Sequence, residues 1–102
     1  MNKGWLLVSL LLAGEGPEAL FLKENDAAMT KMMAAMAVTP TGDVDKDFVA
    51  AMVPHHQGAI EMARAELAYG RNEQLRRMAQ EIIVTQTQEI AAMRLAIGAA
   101  AK

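Results

Sequence analysis

Three stretches of the chain carry apolar residues at helical spacing, and short polar breaks separate them. Pro17 suits the first turn of a helix, and PEALFLKENDAAMTKMMAAMAV then runs without a breaker to Val38. Thr39 to Asp43, TPTGD, is a turn punctuated by Pro40 and Gly42. Asp43 or Asp45 can cap a second helix whose apolar positions include Phe48, Met52, Ala59 and Ala63. Gly70 fits the left-handed position that closes that helix, and Asn72 fits the N-cap of a third. Leu75, Met78, Ala79, Ile82, Ile90, Met93 and Ile97 then form one stripe. The second and third helices, of about 25 residues or roughly 37 Å each, are joined by a short loop and so predict an antiparallel hairpin. The first helix can cover it. The expected fold is all-α: an up-down bundle of three main helices, with dimerisation as a way to bury what remains apolar.

The residues before Pro17 read differently. MNKGWLLVSLLLAGEG has a positive start at Lys3, an apolar run from Trp5 to Ala13 and then small residues, the shape of a secretory signal peptide. The run is about half the length needed to span a bilayer, so stable membrane insertion is not expected. The expectation is a signal peptide over residues 1–16, one helical domain over 17–102, and a periplasmic or secreted location. An amphipathic first helix retained in the mature protein is the alternative.

Composition sharpens this picture in three ways. A hydrophobic content of 53% with only 4% aromatics implies a core of Ala, Leu, Ile and Met, which suits helix packing better than a sheet. The absence of cysteine excludes a disulfide frame and a thiolate metal site. A formal charge of -2 leaves no basic footprint for nucleic acid. The anomaly is methionine, nine in 102 residues.

Candidate chemistry gathers where methionine meets the only two histidines. MVPHHQGAIEMA, residues 52–63, places Pro54, His55 and His56 inside the second helix. At about 100° per residue, Phe48, Met52, His55, His56, Ala59, Met62 and Ala63 share one broad face, the face expected to meet the other helices. Pro54 removes the bond its N–H would make to the Ala50 carbonyl, so either the helix kinks or two segments meet there. In both cases room opens beside the imidazoles. A hairpin turning near residue 71 puts His56 level with Gln86, and Met52 within a turn of Glu89 and Met93. The matching estimate for the first two helices puts Met29 level with Val53, so that Met29, Met32, Met33 and Met36 stack beside the second helix. Met62 and Met78 form a second group nearer Gly70. Thioether sulfur is soft and uncharged and selects Cu(I) and the chemically similar Ag(I), and imidazole adds a stronger donor. Methionine also escapes disulfide formation in an oxidising compartment. Gln86 and Glu89 could orient imidazole N–H groups. The bland reading is that flexible methionines simply fill the core.

GDVDKDFVAAMVPHHQGAIEMARAELAYG, followed by LRRMAQEIIVTQTQEIAAM, resembles domain-of-unknown-function family 305, a bacterial secreted family. The likeness covers roughly Gly42 to Met93, with looser support from the methionines of the first helix. It implies a ferritin-like bundle, and because some members are periplasmic copper-binding proteins, a copper assignment. Met52, His55, His56, Met62 and Met93 fall on the family's Met/His positions, and Gln86 and Glu89 on theirs. Members commonly carry Trp-Leu shortly after the last Met, where this chain has Ala96 and Ile97.

The resulting expectation is a non-enzymatic, exported Cu(I)/Ag(I)-binding protein for sequestration, delivery or resistance. Its expected partners are the metal ion, a copper-handling protein and a second copy of the chain. One alternative is a methionine-rich helical module that binds a partner without metal. The other is a ferritin-like oxidase, disfavoured because neither histidine follows a glutamate at the Glu-x-x-His spacing of such sites.

Overall fold

The computed structural model describes residues 15–99, and among them three helices and no strand form an all-α structure. They are α1 (Pro17–Met36), α2 (Val44–Tyr69) and α3 (Glu73–Ala96). The expected signal peptide lies outside the described residues except for Glu15, which pairs with Lys23, and Gly16, the N-cap of α1. No helix among the described residues is long and apolar enough to cross a membrane.

Local sequence explains the ends of each helix. Pro17 opens α1, where its missing N–H costs nothing. The Asp43 carboxylate accepts from the Asp45 and Lys46 amides, and Asn72 accepts from the Leu75 amide. Gly70 corrects one expectation: its backbone is extended, with φ -79° and ψ 160°, and not left-handed. Glycine is needed there because a Cβ would lie 2.7 Å from the Glu66 carbonyl oxygen. Arg76 then donates to the Leu67 and Gly70 carbonyls, satisfying acceptors that the end of α2 leaves open.

The helices form a layer, with α2 in the middle. Both α1 and α3 pack on α2, and no Cα of α1 comes within 8 Å of one in α3. The first helix therefore packs on α2 alone, which corrects the expectation that it would cover the hairpin. His56 reaches Glu89 of α3, whereas Gly58, about 200° further round α2, meets Met32 of α1. The two neighbours thus sit on opposite flanks of α2.

The register between α1 and α2 also differs from expectation. Met32 lies against Gly58, Lys31 pairs with Glu61 at 3.0 Å, and the Tyr69 hydroxyl donates to Glu24. This alignment puts Met29 level with Met62 instead of Val53, and Met36 level with His55. The cause is the connection 37–43, which runs back along α2 rather than turning tightly. Thr41 anchors it by donating from both its amide and its hydroxyl to Asp47. The core is correspondingly thin: Val49, Val53, Ile60 and Ile90, with Ile83, Met93 and Ile97 half-buried against them.

Candidate metal centre

Pro54 does not divide the second helix, which runs unbroken from Val44 to Tyr69. The space beside it is also not where the imidazoles are. A cavity of about 50 Å³ lies between α1 and α2, bordered by Ala28, Met32, Ala35, Pro54 and Gly58 and by no histidine. Pro54 and Gly58, one turn apart, form a shallow strip into which Met32 packs. The sequence carried a signal for this: a glycine inside a helix, where it costs stability, is used where another group approaches the backbone closely.

The two histidines part company. His56 is buried, only 7% exposed, and points into the α2–α3 seam. His55 is exposed, which corrects the expectation that both face neighbouring helices. Phe48, 56% exposed, and Met62, 36% exposed, are corrected likewise. The physical reason is the layer itself, because α1 and α3 flank α2 and leave its broad face open. The imidazole centroids are 6.2 Å apart and tilted by 58°.

His56 has one satisfied nitrogen and one orphan. Its Nε2 lies 2.6 Å from Glu89 Oε1, while Nδ1 is buried without a partner. An ionised carboxylate can only accept, so in the neutral ring the proton sits on Nε2 and Nδ1 presents a lone pair. A buried polar atom left unpaired costs about 1–3 kcal/mol. Metal-ligating histidines commonly hold a carboxylate on their other ring nitrogen in this way.

Two soft donors stand one helical turn along the seam from the His56–Glu89 pair. Met52 is one turn before His56 on α2, and Met93 one turn after Glu89 on α3, which runs antiparallel. Both methionines are half-buried. Gln86, half-buried on the same seam, lies one turn before the Glu89–Met93 pair, and it is Glu89 rather than Gln86 that stands opposite His56.

The remaining candidates lie along α1 and the open side of α2. Met36 is half-buried and level with His55, Met33 is 63% exposed and within a turn, and Met29 and Met62 are exposed further toward Gly70. Met32 belongs to neither set, since its sulfur is taken up against Gly58. Among the described residues, no three His, Asp or Glu side chains group closely enough to hold a metal ion.

A second charged feature lies away from this centre. The hydrogen bond to Glu24 raises the Tyr69 phenol above its ordinary value of 10.0, with burial and the Glu24 charge acting in the same sense.

No curated protein matches the chain. A family model described as "Domain of unknown function (DUF305)" matches residues 15–97, and the chain belongs to that family.

Proposed function

We propose that this member of the DUF305 family is a non-enzymatic Cu(I)-binding protein of the periplasm or cell exterior. It would sequester the ion or hand it to a copper-handling protein. The observation that carries the reading is the orphaned Nδ1 of His56, whose Nε2 is held by Glu89; Met52 and Met93 stand one turn away along α2 and α3. Thioethers with one neutral imidazole form a soft, low-charge donor set, which favours a monovalent soft ion over Mg, Ca or Zn. Ag(I) is the chemical mimic. His55 with Met33 and Met36, and Met29 with Met62, supply further donors on the open face. Met32 is a weaker candidate because its sulfur already packs against Gly58.

Competition titration of the purified protein against a Cu(I) chelator tests the proposal. Binding that is lost in a Met52/His55/His56 triple alanine variant supports it. Binding no tighter than that variant's rules it out.

A methionine-rich module that docks a partner without metal is the second reading, and the exposure of Met29, Met33, Met62 and Met78 favours it. It requires that Cu(I) change neither stability nor assembly. A ferritin-like oxidase has less in its favour, for lack of the Glu-x-x-His pairs that such iron centres use.

A further inference from the structure

The layer has two faces of opposite character. One is more polar: Lys31 of α1, Gln57, Glu61 and Arg64 of α2 and Thr87 of α3 border a single groove there, over the buried Ile60 and Ile90, although Val84 and Leu95 of α3 are exposed toward that side. At about 100° per residue, the opposite side carries Leu22, Met29 and Met33 from α1, Phe48, His55 and Met62 from α2, and Leu75, Met78 and Ile82 from α3. The apolar members of this set are between 36% and 63% exposed. Every methionine from Met29 to Met93 lies on this face or at its seams. No lysine or arginine of the three helices falls on it, and the acids Glu66 and Glu89 do.

We propose that a second copy of this chain stacks on this face, giving a two-layered, six-helix dimer with the histidine–methionine groups between the layers. Three observations select a second copy as the occupant. The eight apolar residues leave on the order of 800 Å² open, about what each partner contributes to a stable interface of standard size. The face lacks cations and carries acids, which disfavours the anionic surface of a membrane. His55 lies close to the midpoint of α2, so a twofold stack centred on the face brings the two His55 groups toward each other, each with its own Met33 and Met36. Within one chain that group is open on one side, and a second copy closes it. The closure of the metal site rests on the Cu(I) reading; the stacking does not.

The test separates the two. Sedimentation equilibrium of the full chain at micromolar concentration should give twice the chain mass of 11.0 kDa. Ile82→Glu and Leu75→Glu, which remove no donor, should each give monomers with unchanged helical circular dichroism, and Arg64→Glu on the polar face should stay dimeric. A monomeric wild-type chain, or dimeric Ile82→Glu and Leu75→Glu variants, would overturn the stacking. In chelator competition the monomeric variants should bind Cu(I) at least tenfold more weakly than the parent dimer. Equal affinity overturns the shared site. A dimer that binds no Cu(I) at all supports the stacking and overturns the copper reading.

Discussion

His56 has a buried nitrogen without a partner, which a purely structural histidine avoids, while a carboxylate holds its other nitrogen. Desolvating an imidazole nitrogen is unfavourable unless something returns the lost bond, and a soft cation does so through the same lone pair. Glu89→Gln should therefore weaken Cu(I) binding by about 10- to 100-fold while leaving helical content unchanged, as read by chelator competition and circular dichroism. Acidification should act on the same lone pair, because protonated imidazole cannot donate. Affinity should fall on acidification to a residual level set by the thioethers. Affinity unchanged by acidification would mean that the imidazoles are not ligands. Tyr69 offers an independent check on the geometry, since it is the only tyrosine in the chain. Its absorbance titration should have a midpoint above 10, returning toward 10 in Glu24→Gln. A group with a raised folded-state value contributes stability below its unfolded value and loses it as pH rises through the folded one. The Tyr69–Glu24 bond should therefore support the α1–α2 contact at neutral pH and fail only in strong alkali.

At the scale of the helices, the α1–α2 seam depends on one absent side chain. A Cβ at Gly58 would meet Met32 Sδ at 2.9 Å and its Cβ and Cγ at 3.3 Å. Ala gains helix propensity of up to about 1 kcal/mol over Gly, which offsets much of that crowding. Val adds bulk without such a gain, so Gly58→Val should cost about 1–3 kcal/mol in urea unfolding. A Met32→Ala background should recover part of it. Helix ends were legible in the sequence because they rest on local chemistry: Pro17, Asp43 and Asn72 act within one turn of themselves. The pairing of α1 with α2 was not. It depends on how far the 37–43 connection extends before α2 begins, and the bonds that anchor it join Thr41 of the turn to Asp47 of α2, a pairing without a local sequence signal. The Gly70 conformation was likewise misjudged, because a glycine after a helix meets either a positive φ or a close carbonyl, and the sequence alone does not distinguish them.

For the whole molecule, helical arithmetic placed Phe48, Met52, His55, His56 and Met62 on one face but could not say what covers it. The layer resolves that ambiguity by splitting the set. His56 and Met52 go to the α3 seam, and Phe48, His55 and Met62 to an open surface. Two adjacent histidines thereby address different neighbourhoods, one enclosed and one dependent on what docks above it. On this account Cu(I) stabilises the folded chain, because the ion binds a donor set that the unfolded chain does not preassemble. At a free concentration of 100 times the dissociation constant the gain is about 2.7 kcal/mol, visible as a rise in melting temperature that the His56→Ala variant should lack. The most direct test of the central claim is a crystal structure of the Cu(I)-loaded protein with anomalous diffraction at the copper edge. The account predicts a peak bonded to His56 Nδ1, with sulfur from Met52 or Met93 in the same coordination sphere. Copper found only at surface carboxylates, with Nδ1 of His56 still unbound, would contradict it.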